Sequence, residues 1–369
     1  GEGDLPLVRR GISSLYSICL GVGVALLALI LPFTSTFLRL AGTPELLIEA
    51  GSQYFVVGLF VMVVTFINNV YIAVERARGN AGRIFRLNLL VIAAKLSLTA
   101  LFVYGMDGTL VMIAAASLAS QLLLFGFALK NSICGRSAFS FSAQAVTARR
   151  EVVGPMVQNS VPVIAERAFF AFGKTIVNAM CGVYGPLMVG AMGVSNNMGG
   201  ITTNPQNGYE EGASAIISQN YGAGRYRRVL EAFGAVLAVN VAMSAVISGL
   251  ELWQMDLLAS LFDSGSAEFH ELIVLVYRYE ALGAVPLAIN SAVLALLYGL
   301  GKTRLTLLLN IARVFVFRIP VFWFLQNFTN LGEASVGVVM MVSNASVAVV
   351  AVAVAAVVIR QFKRSYALA

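Results

Sequence analysis

Long apolar runs recur along the whole chain and are separated by short polar connections. Within each run the apolar residues follow one another without a period of two, which favours helices over the strands of a membrane barrel. Only helices and closed barrels satisfy their backbone groups in a bilayer, and a spanning helix takes roughly 20 residues. The pattern predicts an all-α, polytopic integral membrane protein with ten transmembrane helices, near residues 11–33, 51–74, 84–105, 108–129, 152–182, 184–219, 230–254, 271–299, 304–326 and 335–359.

The composition agrees with this interpretation. Of the 369 residues, 59% are apolar and 12% are charged, whereas a soluble domain has about 45–50% apolar and about 25% charged residues. The net charge is +7, but a nucleic-acid-binding protein needs a basic patch on a water-exposed face, and this chain has little such surface. We therefore expect the lipid bilayer as its surroundings and no nucleic acid as a partner.

The basic residues predict an orientation in the membrane. Eighteen of the 25 Lys and Arg residues lie at one set of alternate helix ends. The opposite connections carry Arg39 together with acidic residues such as Asp256, Asp263 and Glu268. By the positive-inside rule, both ends of this chain are cytoplasmic, which agrees with an even number of spans. We expect a multi-pass protein of the cell (inner) membrane.

Two parts of the chain repeat with an offset of about 220 residues. Each copy has a glycine-rich basic turn, at 78–83 and 298–304, followed by a helix with a basic residue at a matching place, Lys95 or Arg313. Parallel repeats are typical of transporters, with the site between the halves. The polar stretch 130–151 separates the copies, so we predict an N-terminal lobe of four helices at 1–140 and a C-terminal lobe of six at 141–369.

An ordered set of motifs resembles the multidrug and toxic compound extrusion (MATE) family. The motifs are Val161-Pro162 with Glu166, Cys181-Gly-Val-Tyr-Gly185, Pro205-x-x-Gly208-x-x-x-Gly212, Ile217-Ser-Gln-Asn-Tyr-Gly222-Ala-Gly224, and the turns Arg78-Gly79 and Tyr298-Gly-Leu-Gly301-Lys-Thr303. The resemblance covers the whole chain, from the family's third helix to its twelfth. By this alignment the first two helices of the family pattern are missing, which leaves 4+6 helices where the family has 6+6.

The resemblance implies a secondary active transporter and no enzyme. Such a protein exports cationic or amphipathic drugs by Na+- or H+-coupled antiport with alternating access, from a cavity between two pseudo-symmetric lobes. It implies no cofactor beyond Na+ or H+ as the coupling ion. We expect small-molecule substrates and a monomer.

Glu166 is the strongest candidate for ion coupling. It lies one turn after Pro162, which leaves a backbone carbonyl without its helical donor, and Phe169 and Phe170 share its helix face as a cavity wall. Burial favours the neutral acid and an incoming cation favours the carboxylate, which is the competition that an antiporter needs. A structural ion pair of Glu166 with Arg167, Lys174 or a basic residue of another helix is the alternative.

A polar helix after residue 184 supplies further candidates, Asn207, Glu210 and Glu211. Adjacent residues of a helix point about 100° apart, so at most one of the two acids faces the cavity centre. Repulsion between neighbouring carboxylates favours a proton on one of them. The alternative is that both lie at a solvated cytoplasmic mouth.

The remaining candidates come from comparison with the family's ion sites. Where members carry an Asn and then an Asp in the fifth helix, this chain has Lys95 and Thr99, so a fixed ammonium replaces a bound cation. In the tenth helix, where some members carry an Asp, this chain has Leu287 with Asn290 a turn later. Lys174 and Arg313 complete the set, because an ionisable side chain at bilayer depth usually faces a cavity or a partner. The sequence predicts no metal site other than Na+ at Glu166.

Three other functions stay open. A lipid-linked oligosaccharide flippase of the same superfamily needs a strongly basic cavity, and the chain offers Lys95, Arg167, Lys174, Arg313 and Arg318 for one. An intramembrane enzyme needs a nucleophile or a metal motif, and none is readable. A non-transporting membrane protein fragment is the third alternative.

Overall fold

The computed structural model describes residues 5–40, 45–106, 108–133, 139–263 and 265–366. Every regular element in these ranges is helical, which confirms the all-α prediction. The helices are α1 Leu5–Ile30, α2 Thr34–Leu40, α3 Glu45–Ala77, α4 Ala81–Ala100, α5 Leu110–Ile133, α6 Arg150–Cys181, α7 Pro186–Met198, α8 Gly200–Gly222, α9 Tyr226–Trp253, α10 Met255–Ser260, α11 Ala267–Leu282, α12 Ala284–Gly299, α13 Thr303–Ile311, α14 Ile319–Phe328 and α15 Ala334–Ser365. Short 3₁₀ turns occupy Leu31–Phe33, Ala143–Ala145 and Gly182–Tyr184, and π-helical turns occupy Leu101–Gly105 and Ala312–Val316.

Seven helical segments of the described chain are long and apolar enough to cross a membrane. They are Leu5–Arg39, Gly51–Ala77, Ala81–Gly105, Leu110–Ser132, Tyr226–Trp253, Thr303–Phe328 and Ala334–Ser365. The pair α11 and α12, which is bent by 44°, makes an eighth. The chain is therefore a multi-pass membrane protein. The count of ten spans stays a prediction, because α6 and the pair α7 and α8 are not among these segments.

The bend between α11 and α12 has a local cause. Gly283 separates the two helices, and Pro286 lies in the first turn of α12. Proline has no N–H group, so the carbonyl of Leu282 loses its usual helical donor at this point. Gln206 of α8 donates a hydrogen bond to the carbonyl oxygen of Ala284 at 3.0 Å, so a buried side chain binds to the backbone beside the break.

The contacts divide the chain into two compact units, Gly3–Met156 and Val157–Ala369. The predicted boundary between the two lobes, at residues 140 and 141, lies within a polar stretch. Side-chain hydrogen bonds attach this stretch to the first unit. Ser14 Oγ donates to the Thr147 carbonyl and accepts from the Thr147 N–H, each at 3.0 Å, and the Ser142 N–H donates to Ser13 Oγ at 3.0 Å. These bonds explain why the compact unit extends beyond residue 140. The predicted assignment of lobes stays a prediction.

In the unit Gly3–Met156, α1, α3, α4 and α5 enclose an apolar core around Tyr71 and Leu124. Polar side chains within this bundle bind one another. Asn68 donates to the Gln121 side chain at 2.9 Å, and Asn131 donates to the Tyr71 hydroxyl at 2.8 Å. Satisfying these groups inside the bundle keeps the lipid-facing surface apolar.

In the unit Val157–Ala369, α12 lies at the centre. Nearly every residue from Asn290 to Leu297 is buried, and a helix that is apolar all round is expected in the interior. It packs against α8, α9 and α15. A second core, formed by α6, α7, α11, α14 and α15, surrounds Met192, Tyr277 and Phe322.

Glycine turns with the same hydrogen bonds occur at corresponding places in the two repeats. Gly79 and Gly301 have φ values of 82° and 71°, a conformation that favours glycine. After Gly79 the Asn80 N–H donates to the Glu75 carbonyl, and after Gly301 the Lys302 N–H donates to the Leu297 carbonyl. These are Schellman caps. Each cap reverses the chain into the next helix, α4 or α13.

We predict that Gly299→Ala destabilises the protein. A Cβ atom at Gly299 lies 2.4 Å from Ile217 Cγ2 and 3.0 Å from the Ser214 carbonyl oxygen of α8. Overpacking of this kind costs about 1–3 kcal/mol, so the melting temperature in detergent falls. The control is Gly234→Ala on α9, where no heavy atom lies within 4 Å of the added carbon and the melting temperature stays level or rises. Equal melting temperatures for the two variants contradict the close contact between α12 and α8.

Candidate functional site

A cavity of about 210 Å³ lies within the unit Val157–Ala369. Side chains from α6, α8, α9, α11, α12 and α15, together with the segment 310–318, line it. Of the ten site residues predicted from sequence, the cavity brings together seven: Glu166, Phe170, Lys174, Asn207, Glu210, Asn290 and Arg313.

The other three predicted residues lie elsewhere. Glu211 is exposed, next to the buried Glu210, as expected from the angle between adjacent helical residues. Phe169 is 47% exposed, and its ring makes an edge contact with Phe315 at 6.1 Å between centroids. Lys95 is exposed on α4, which belongs to the unit Gly3–Met156.

The carboxylate of Glu166 lies in a shell of neutral hydrogen-bond donors. Its side chain is almost fully buried, with 4% exposed. The Tyr298 hydroxyl lies 2.9 Å from both carboxylate oxygens. Thr306 Oγ1 lies 3.0 Å from Oε2, and Asn310 Nδ2 lies 2.9 Å from Oε1. The structure therefore differs from the alternative of an ion pair with Arg167 or Lys174, since neither base lies within 4.0 Å of this carboxylate.

Local sequence explains how these donors converge. Tyr298 is in the last turn of α12, and the Gly301 cap reverses the chain directly after it. Thr306 and Asn310 are four residues apart on α13, so they share one face of that helix. The three donors thus come from a single helix–turn–helix segment, and α6 supplies the acid.

The Thr306 hydroxyl has two acceptors for one hydrogen. It lies 3.0 Å from Glu166 Oε2 and 2.8 Å from the Thr303 carbonyl oxygen. A hydroxyl group donates one hydrogen bond and accepts up to two. When Glu166 is ionised, Thr306 donates to it. When Glu166 carries a proton on Oε2, Glu166 donates to Thr306 and Thr306 donates to Thr303. Both protonation states therefore keep a full set of hydrogen bonds.

Glu210 repeats this arrangement on α8. It is 7% exposed and lies 2.9 Å from Ser291 Oγ of α12. The Ser291 hydroxyl also lies 3.2 Å from the Gln206 carbonyl oxygen. This carboxylate too is paired with a hydroxyl that has a second acceptor.

Basic side chains occupy another part of the cavity wall. Two cations lie near the Phe170 ring, with Lys174 Nζ 5.9 Å and Arg313 Cζ 5.1 Å from its centroid. Arg313 lies in the π-helical turn Ala312–Val316, a type of irregularity that often occurs at functional sites. Arg318 is 2% exposed, and it donates to Ser343 and Asn344 of α15 at 3.0 and 3.1 Å.

Several residues of the site were not predicted from sequence. A single hydroxyl group hardly changes an apolar pattern, so the sequence does not distinguish Tyr298, Thr306 and Ser291 from the other residues of their apolar helices. Glu251 and Glu280 also line the cavity. Glu251 accepts from Thr202 at 2.8 Å, and Glu280 accepts a short hydrogen bond from Ser195. The two acids were detectable, since each is an ionisable residue inside a predicted span.

Comparisons with known proteins agree with this architecture. Residues 162–324 match the family model MatE. No curated protein sequence matches the chain significantly.

Solved structures show the same fold. One is the outward-facing conformation of a multidrug resistance MATE family transporter of the MOP superfamily (18% identity, TM-score 0.90, 98% of this chain and 83% of that chain). A second is MATE in the bent conformation (17%, 0.85, 98% and 85%). A third is a MOP superfamily transporter from Pyrococcus furiosus, described as having a binding pocket of reverse polarity that suggests a different function (17%, 0.89, 97% and 85%).

We predict that Tyr298 and Glu166 stabilise the protein as a coupled pair. A hydrogen bond to a charged group contributes about 1.5–3 kcal/mol, so Tyr298→Phe lowers the free energy of unfolding by that amount. In the presence of Glu166→Gln the same change costs less, because the carboxylate is gone. SDS-induced unfolding in mixed micelles, arranged as a double-mutant cycle, measures the difference.

The control for this cycle is Tyr209→Phe, an exposed tyrosine on α8, for which we expect a change within about 0.5 kcal/mol. If Tyr298→Phe has the same effect with and without the carboxylate, the two side chains are not coupled.

Proposed function

Because the chain contains a MatE domain and has the fold of the MATE transporters, we propose that it is a proton-coupled secondary active transporter that exports cationic or amphipathic small molecules. Transport follows alternating access, and Glu166 is the principal coupling residue. We place the protein in the cell (inner) membrane as a monomer, with both ends of this chain on the cytoplasmic side. The protein has no enzymatic activity.

The arrangement of Glu166 and Thr306 carries this proposal. An ionised carboxylate at bilayer depth is costly, at least about 2.5–3.5 kcal/mol on insertion scales, so Glu166 needs strong donors when it is charged. The Tyr298, Thr306 and Asn310 groups supply them. Since the Thr306 hydroxyl also has the Thr303 carbonyl as an acceptor, the site holds a proton without leaving a buried group unpaired.

The same geometry favours H+ over Na+ as the coupling ion. A metal cation needs oxygen lone pairs directed at it, whereas the neighbours of Glu166 direct hydrogens towards the carboxylate. A Na+ ion at Glu166 has to share the carboxylate lone pairs that already accept these donors, and the amide nitrogen of Asn310 offers it no lone pair. A proton requires only that the Thr306 hydroxyl rotates.

Coupling follows if protonation favours one facing of the transporter and substrate favours the other. A ligand shifts a conformational equilibrium only by its difference in affinity for the two states. Glu210, Glu251 and Glu280 line the same cavity as Glu166 and are available to bind a cationic group when they are ionised. A substrate cation and a proton then compete for the same negative charge.

A second candidate function is flipping of a lipid-linked oligosaccharide. The observation that favours it is the group of basic side chains Lys174, Arg313 and Arg318 in the cavity wall, which suits an anionic pyrophosphate. Binding of such a lipid in preference to an organic cation decides for this alternative.

We predict that Glu166→Gln abolishes proton-driven transport. We expect the full-length protein in proteoliposomes to extrude ethidium when a pH gradient is imposed. The variant cannot exchange a proton at this position, so its transport rate is at least tenfold lower. The matched control is Glu231→Gln on α9, an exposed acid paired with Arg227, which transports at the wild-type rate.

Two results overturn the proposal. Wild-type rates in Glu166→Gln exclude Glu166 as the coupling group. Transport that follows an imposed Na+ gradient and ignores a pH gradient excludes proton coupling.

A further inference from the structure

Four basic side chains line the cavity; Arg167 is exposed, and the other three are buried or half-buried and play no part in proton coupling at Glu166. Lys174 lies on α6, Arg313 in the π-helical turn Ala312–Val316, and Arg318 directly before α14. All three line the same cavity. We refer to Lys174, Arg313 and Arg318 as the basic cluster.

The basic cluster has no ion-pair partner among the described residues. No carboxylate oxygen lies within 4.0 Å of a nitrogen of Lys174, Arg313 or Arg318, whereas such pairs do occur elsewhere, for example between Arg78 and Glu75. A charge removed from water without a partner is strongly destabilising, and charged groups in membrane proteins usually pair. The cluster therefore holds positive charge that an anion is able to neutralise.

The basic cluster also contains a nitrogen that has no hydrogen-bond partner among the described residues. Nε of Arg313 is buried and has no hydrogen-bond acceptor. Buried donors without a partner are rare in native proteins, and each calls for an explanation. Arg318 binds only the neutral groups of Ser343 and Asn344, which orient its guanidinium group without cancelling its charge.

Glu280 reduces the positive charge of the cluster but does not cancel it. It is the one acid with a Coulombic influence on all three bases. Its carboxylate accepts a hydrogen bond from Ser195 of α7 and lies beyond 4.0 Å from the three bases. Glu210 acts on Arg313 alone, so none of the described carboxylates forms an ion pair with the cluster.

We propose that the basic cluster binds the carboxylate group of an organic ligand. A guanidinium group presents donors in a planar fork that matches a carboxylate, and Arg313 and Arg318 both line the cavity. The Phe170 ring, which lies beside Lys174 and Arg313, and the apolar side chains of Leu287, Leu294 and Met340 line the same cavity. They are suited to the apolar body of the ligand.

The acids of the cavity limit the charge of this ligand. Glu251 and Glu280 line the same space and repel a second negative group. A monocarboxylate therefore fits better than a phosphate dianion. The site is separate from the coupling of protons at Glu166, so it is testable without transport.

The experiment measures binding to the purified full-length protein by isothermal titration calorimetry and by the shift in melting temperature. The probes are benzoate, benzylammonium and chloride, of which the first two have similar size and opposite charge. We expect benzoate to bind and to stabilise the protein through the basic cluster, whereas benzylammonium, which binds to the acids of the cavity, does not lose affinity in Lys174→Gln.

Variants assign the binding to the cluster. Lys174→Gln and Arg313→Gln each weaken benzoate at least tenfold, because each removes a charged donor. Arg278→Gln, an exposed base of α11 outside the cavity, leaves the affinity unchanged. Glu280→Gln removes the repelling acid and tightens benzoate binding a few-fold, an effect that loss of folding does not imitate.

Three results overturn the inference. They are a joint loss of benzylammonium and benzoate affinity in Lys174→Gln, binding of chloride without binding of benzoate, and equal benzoate affinity in wild type and in both Lys174→Gln and Arg313→Gln. None of these results bears on proton coupling, which the transport assay of Glu166→Gln tests separately.

Discussion

A carboxylate inside a membrane protein is tolerated only where its oxygens have partners, and the arrangement around Glu166 follows from this constraint. In a low-dielectric interior an unpaired polar group costs several kcal/mol. The carboxylate of Glu166 accepts hydrogen bonds from Tyr298, Thr306 and Asn310, which together offset this free-energy cost. They reach the acid because the Gly301 cap brings the start of α13 close to the end of α12. The backbone turn at Gly301 therefore positions the donors that bind Glu166.

The same constraint makes the basic cluster the unusual part of the cavity. Arg318 donates hydrogen bonds to Ser343 and Asn344 of α15, so its position is fixed by the fold. Lys174 and Arg313 lie beside one aromatic ring without an ion pair. Among the described residues, the cavity combines a fully hydrogen-bonded acid, Glu166, with bases that have no ion pair, so it is suited to a ligand that supplies negative charge.

The charged residues of the site are easier to recognise in the sequence than the neutral residues that bind them. Glu166, Glu210, Lys174 and Arg313 are conspicuous, since ionisable residues are rare in apolar helices. The hydroxyl groups that control them are not conspicuous, and Tyr298 is a typical example. Its role depends on lying opposite Glu166, 132 residues away along the chain, and no local pattern carries that information.

The sequence by itself determined the helical membrane fold and the glycine turns of the repeat, because apolar runs and Schellman caps are local properties. The breaks inside three predicted spans, at Gly199, at Gly283 and at 312–318, appear only in the structure. Only the tertiary structure decided which acid binds which hydroxyl. It also decided that residues 139–156 belong to the first compact unit and that Glu211 lies exposed beside the buried Glu210. These outcomes depend on how helices pack, and packing joins residues far apart in the chain, such as Glu166 and Asn310, 144 residues apart.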